Sequence, residues 1–204
     1  MKKLAGFLLI LFASLHSAEI GGKFDSYSCS RFYLDGFGGV NILNNYEGDY
    51  SRFDYNIGYA LGGAFGYRFS RFYRIELEAS YRNNAIDWIV INDIDFSVSG
   101  SAHNVAILGN LLFEMPILHH SLIPYVGGGI GRRWSRQHAL PWESQRTYNF
   151  GRYICRGYGF AGQAIVGVVF GIYQKIQFAV EYRFLGGPYM EGNNTVALNL
   201  KSYF

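Results

Sequence analysis

From Tyr73 to Arg82 the chain alternates without a break: Tyr73, Ile75, Leu77, Ala79 and Tyr81 form one row, and Arg74, Glu76, Glu78, Ser80 and Arg82 form the other. A helix would scatter both rows around its circumference, so the period of two predicts a strand. Residues 175 to 184 repeat the pattern, with Ile176, Phe178, Val180, Tyr182 and Phe184 opposed to Lys175, Gln177, Ala179, Glu181 and Arg183. Residues 58 to 69 do so with smaller side chains on the polar row. Carried along the chain, the pattern predicts eight strands, at 31–42, 57–69, 72–83, 100–115, 123–134, 157–170, 175–185 and 195–204. Most are longer than the usual globular strand of about five or six residues. They match the roughly ten tilted residues that cross a bilayer.

The connections alternate as well. Links after the second, fourth and sixth strands are short (SR, PILHHSLI, GIYQ), whereas those after the first, third, fifth and seventh are mostly long, polar and aromatic. One short-turned rim and one ragged rim fit a closed antiparallel ring with its apolar rows turned toward lipid. The fold class predicted is therefore all-β, an eight-stranded antiparallel up-and-down transmembrane β-barrel. Eight strands enclose only enough room for side chains, so the charged rows must neutralise one another inside. Strand parity sends Arg68, Arg74, Arg82, Lys175, Arg183 and Lys201 to that interior together with Asp35, Glu76, Glu78, Glu114 and Glu181. For residues 123 to 134 the parity stays open, because Val126 and Ile130 compete with Tyr125 and the glycines give no vote.

Composition changes this picture in two places. The first 18 residues combine two lysines, an apolar run and small residues, the layout of a cleaved secretory signal peptide. Residues 1–18 are thus read as the signal peptide, 19–30 as an N-terminal periplasmic segment and 31–204 as the barrel domain. Losing that peptide takes two of the 18 basic residues, leaving 18 − 2 = 16 against 15 acidic ones. A near-neutral mature chain offers no case for nucleic acid, which demands a concentrated basic surface. Two cysteines remain in an exported chain. The topology puts Cys29 and Cys155 on opposite sides of an apolar band about 25 Å tall, too far for the roughly 7 Å a disulfide tolerates.

The signal peptide, GGAFGYRF, NVAILGNLLFEMP, IPYVGGGIG, GFAGQAIVGVVF and a last strand ending in Phe204 together resemble the small eight-stranded outer-membrane β-barrel family that includes porin-like proteins and bacterial surface antigens. The resemblance covers about residues 31 to 204, and Ser202 departs from the apolar or aromatic residue usual at its position. It implies a bacterial outer-membrane location, contact with membrane lipid and lipopolysaccharide, and a structural or surface-interaction role of adhesin or antigen type. A narrow porin-like pore is the alternative, and a lipid A-modifying enzyme a more distant one. The protein is expected to be a monomer.

Candidate chemistry is sparse. RGYGFAGQ, residues 156 to 163, approaches an RNA-recognition signature, but Gln163 stands where an aromatic is needed and no helices flank the strand. The mature histidines, His103, His119, His120 and His138, have no metal-ligand spacing, and no cofactor is expected. Ser101 and His103 share a face, and some outer-membrane enzymes that deacylate lipopolysaccharide likewise set a Ser and a His two residues apart. Here the order is reversed and no neighbouring outward position supplies a carboxylate to orient the His, so the chain is read as no enzyme, with no catalytic residue. The third long connection is basic and aromatic. Its Arg132, Arg133, Arg136, Trp142, Arg146 and Arg152 form a possible loop interaction surface, suited to a host or envelope protein or to lipopolysaccharide phosphates.

Overall fold

The computed structural model describes residues 31–44, 46–47, 51–91, 94–115, 122–141, 153–173, 176–188 and 190–204. The expected signal peptide and periplasmic segment lie outside these residues, as do Cys29, His119, His120, Trp142, Arg146, Arg152 and Lys175. In chain order the strands are β1 (Phe32–Leu43), β2 (Tyr46–Glu47), β3 (Ser51–Tyr55), β4 (Gly58–Arg68), β5 (Tyr73–Ile91), β6 (Ile94–Glu114), β7 (Leu122–Pro141), β8 (Tyr153–Tyr173), β9 (Ile176–Gly187) and β10 (Met190–Tyr203). Each long strand pairs antiparallel with its neighbours, and β1 joins both β4 and β10. The eight-stranded ring is closed, so the wall of the barrel has no edge.

Register fixes its shape. A path stepping across paired residues from Tyr33 passes Gly66, Glu76, Asn110, Gly129, Gln163, Leu185 and Asn193, and returns to β1 at Leu43. It comes back 43 − 33 = 10 residues further up the strand. Eight strands with that stagger tilt by about 35 to 45°, so about ten residues of each lie within the apolar band.

The alternation decides which side faces out. Leu34, Leu61, Phe65, Ile75, Leu77, Ile107, Leu111, Ile130, Val166, Phe178, Leu198 and Leu200 are exposed on the outer wall. In water such a surface would aggregate, whereas hydrocarbon solvates it. Near the short turns, aromatic rings form a girdle: Phe32 lies 5.7 Å from Phe65 and Tyr73 lies 5.2 Å from Phe113. Toward the other rim Tyr59 and Tyr81 meet at 6.1 Å, and Trp134 and Tyr158 are exposed on the same outer side. Rings at both boundaries anchor a barrel in the interfaces.

On the inner side, large side chains fit because glycine faces them. A Cβ on Gly66 would collide with the Tyr33 ring, and one on Gly129 with the Asn110 amide. The parity left open for residues 123–134 is settled by the same packing. Tyr125 is fully buried while Val126 and Ile130 face lipid. Odd positions of β7 therefore point inward, and Arg133, expected on the loop surface, points into the barrel and is fully buried.

The structure also lengthens four strands beyond the alternation. β5 to β8 reach 19 to 21 residues. Their ladders continue past the apolar band to Ile91 opposite Ile94 and Ala139 opposite Tyr153. There the hairpin of β2 and β3 adds to the outer end of β5. Strand pairing needs no lipid, so the ladders continue where the regular opposition of an apolar and a polar row has already ended.

Leu77 lies on β5 at the midpoint between the girdle residues Tyr73 and Tyr81. Leu77→Arg is expected to destabilise the folded barrel by about 2 to 4 kcal/mol, and Tyr158→Arg, beyond the band, by about 1 or less. Reversible urea unfolding in lipid vesicles measures both.

Candidate functional site

The barrel axis is occupied by a continuous column of polar side chains. At the end nearest the short turns, Arg68 pairs with Glu114 at 2.9 Å and donates to the Tyr203 hydroxyl at 2.8 Å. Arg74 reaches the same Glu114 and also Glu76, at 3.3 Å, and Tyr33 donates to Glu76 at 2.7 Å. Above them Lys201 lies 3.3 Å from Glu181 and 3.6 Å from Asp35. Arg183 bonds both Glu181 and, at 2.7 Å, Glu78. Tyr125 ties the two levels together: its hydroxyl donates to Glu181 while Arg74 lies 4.4 Å from its ring centre.

Higher still the partners become neutral. Gln163 and Asn110 donate to Glu78, and Arg82 donates to Gln163, Ser80 and Thr195. Thr195 continues to Asn41, which donates to Asn84 and Asn193. At the wide end Arg133 donates to the Glu191 carbonyl at 2.8 Å, and Gln137 donates to the Glu191 carboxylate and the Tyr55 hydroxyl. A solvent-free ion costs several kcal/mol unless it is paired and hydrogen-bonded. Arg68, Arg74, Arg183 and Lys201 meet the pairing condition by shared carboxylates rather than isolated pairs, whereas Arg82 is held by neutral acceptors.

Of the interior charges predicted from sequence, Arg68, Arg74, Glu76, Glu78, Arg82, Glu114, Glu181 and Arg183 are brought together here, with Asp35 and Lys201. Sequence reasoning missed Arg133, and it missed the neutral set of Asn41, Asn84, Gln163, Thr195 and Asn199. Asn41 shares the inward parity of Asp35, and Thr195 and Asn199 share that of Lys201, so extending each row would have found them. Arg133 gave no such signal, because Gly127, Gly129 and Gly131 precede it on the inward row.

The outer rim carries different chemistry. Arg132 and Arg136 remain exposed on β7, with Arg156 on β8. His103 contacts Ser101 at 2.9 Å through Nε2 and the Tyr81 hydroxyl at 2.7 Å through Nδ1. A phenol is uncharged at neutral pH, so Tyr81 cannot stabilise an imidazolium as the carboxylate of a triad does. Among the described residues, no three His, Cys, Asp or Glu side chains are grouped to hold a metal.

No family model matches the chain. A curated relative from Gluconacetobacter diazotrophicus, named Outer membrane protein, is 25% identical over 185 residues, 80% of this chain and 48% of that one. The chain thus spans about half the length of that relative. Among solved structures, Neisserial surface protein A superposes with a TM-score of 0.57 at 12% identity, covering 85% of this chain and 97% of its own. The fold is that of the small outer-membrane β-barrels. The barrel is likewise similar to OprG from Pseudomonas aeruginosa, with a TM-score of 0.53, 14% identity and coverage of 86% and 97%. Ail of Yersinia pestis, solved with the heparin analogue sucrose octasulfate, gives 0.50, 12%, and coverage of 86% and 98%. The family resemblance read from the sequence is borne out at the level of fold.

Removing one member of the column leaves its partners buried and charged. Arg183→Leu, which leaves Glu78 without a cation and Glu181 with Lys201 alone, is expected to cost about 3 to 5 kcal/mol. Guanidinium unfolding in detergent micelles measures it, and a loss under 1 kcal/mol would mean that water already solvates the column.

Proposed function

We propose that this chain is a closed-lumen outer-membrane barrel that acts through its outer rim, in a structural or surface-interaction role of adhesin or antigen type. It is neither a channel nor a catalyst in this reading. Residues 1–18 direct export and are cleaved, and 19–30 remain in the periplasm. The observation that carries the proposal is the column itself: Arg74, Arg82, Arg183 and Lys201 are fully buried between their partners on the axis a solute would have to follow. Wide aqueous channels belong to barrels of about 16 strands.

The projecting ends of β5 to β8 supply the surface. β8 pairs with β9 only from Gly162 onward. Gly187 at the end of β9 still lies against Phe160 and Ala161, so among the described residues Tyr153 to Gly159 have a strand on one side alone. Such an edge is a template for a strand of a partner protein, and the connection that precedes it in the chain is basic and aromatic in sequence. The outer wall meets membrane lipid, with lipopolysaccharide as the lipid partner of the exposed arginines.

Single-channel recording in planar bilayers tests the closed lumen. The full barrel is expected to stay silent, and steady unitary currents would favour the porin-like alternative. Replacing residues 142–152 by a short turn is expected to abolish adhesion to host cells or capture of an envelope partner, while heat-modifiable migration in gels persists. Unchanged binding would contradict the surface role.

A further inference from the structure

One stretch of the outer wall is hollowed. A groove of about 570 Å³ is walled by Phe65, Tyr67, Ile75, Leu77, Leu111 and Ile130, and its floor is Gly109 and Gly128. Gly109 pairs with Leu77 on one side and Ile130 on the other, and Gly128 pairs with Leu111. Larger side chains therefore stand around two positions that carry none. The groove also runs obliquely, because the stagger of the ring lifts paired residues away from the short turns from β4 to β7. Tyr67 is next to the last residue of β4, at the short-turn rim, whereas Ile130 lies eight residues into β7 from Leu122. One end opens at the short-turn boundary and the other reaches into the apolar band.

The boundary end carries a second kind of chemistry. The Tyr67 ring packs 4.8 Å from that of Phe32, and its hydroxyl accepts a hydrogen bond from Arg31 at 3.2 Å. The hydroxyl is thus turned toward the short-turn rim, with its own hydrogen left for an outside acceptor. Arg71 lies in the turn that joins β4 to β5, the strands whose paired Tyr67 and Ile75 form the foot of the groove. Between that foot and the turn, the Phe69 and Tyr73 rings stack at 5.8 Å, an aromatic level of the kind that sits among headgroups. Both Arg31 and Arg71 are exposed, and among the described residues neither has a carboxylate partner.

We propose that this groove holds one acyl chain of an anionic glycerophospholipid, whose phosphate is bound by Arg31, Arg71 and the Tyr67 hydroxyl. The chain lies over Gly109 and Gly128, and the phosphate supplies the acceptors that the two guanidiniums lack within the described protein. Short turns of outer-membrane barrels face the periplasm, so the lipid comes from the inner leaflet. The site selects by headgroup charge. Phosphatidylethanolamine brings an ammonium, which the guanidiniums repel and no carboxylate of the described rim receives, whereas phosphatidylglycerol brings only its phosphate charge and hydroxyls. The inference goes beyond the surface-interaction reading, lies at the opposite rim, and relies only on the apolar rows facing lipid.

The test is titration of the full chain in detergent micelles with phosphatidylglycerol and, separately, with phosphatidylethanolamine of the same acyl chains, read by native mass spectrometry. Phosphatidylglycerol is expected to bind about tenfold more tightly, and Arg31→Gln with Arg71→Gln to reduce that preference to about twofold or less. Gly109→Val with Gly128→Val fills the groove. A Cβ at these positions has nothing nearer than the Ile130 carbonyl at 4.0 Å and the Gln163 carbonyl at 3.5 Å, so the backbone admits one. That pair is expected to weaken both phospholipids about fivefold or more while keeping their ratio. Equal binding of the two lipids by the wild type, an unchanged ratio in the arginine pair, or wild-type affinity in the glycine pair overturns the proposal. Heat-modifiable migration shows that each variant is folded, and if one pair does not fold, the other pair and the wild-type ratio decide. Silent bilayers and loop-dependent adhesion would survive that failure, and their own loss would leave a measured phospholipid site standing.

Discussion

An interior too narrow for bulk water must neutralise its own charges, and that constraint organises this protein. Ten ionisable side chains on the axis are at most slightly exposed, and the acids Asp35, Glu76, Glu78, Glu114 and Glu181 each find a cation or a neutral donor within the column. Because the ring is closed with a ten-residue stagger, partners come from strands far apart in sequence: Arg183 on β9 meets Glu78 on β5, and Lys201 on β10 meets Asp35 on β1. The column therefore fixes register across the whole barrel. A one-residue slip would turn a row of charges toward lipid, at a cost no local interaction offsets.

The same residue type does opposite work on the two faces of one strand. Arg133 is buried and donates to a carbonyl at the mouth of the lumen, while Arg132 and Arg136, one and three residues away, look outward. Inward arginines close the axis. Outward ones are exposed on the outer wall, where the proposed function directs them at partners outside the protein. In the proposed function the roles are split by parity, with the inside sealed and the outside presented.

Parity was legible in the sequence wherever one row is uniformly apolar and the other charged. β5 and β9 declare their faces residue by residue, and from them the barrel, its strand number and the interior acids and bases follow. β7 does not, because Gly127, Gly128, Gly129 and Gly131 carry no preference, and Arg133 was misplaced for that reason. The outward extension of β5 and β6 was legible, because Asn92 and Asp93 in the sequence mark a hairpin turn between them; that of β7 and β8 was hidden, since above the membrane both faces meet water and alternation is no longer imposed.

The claim that carries the rest is that the apolar rows face lipid and the polar rows face a dry axis. A single-cysteine scan through residues 195 to 200 of β10, in a background lacking Cys29 and Cys155, measures it directly with a water-soluble thiol reagent and a lipid-phase quencher. The account predicts that Val196, Leu198 and Leu200 positions are quenched from lipid while Thr195, Ala197 and Asn199 positions react with neither probe. Rapid labelling of those three from the aqueous phase would show a water-filled lumen and contradict it.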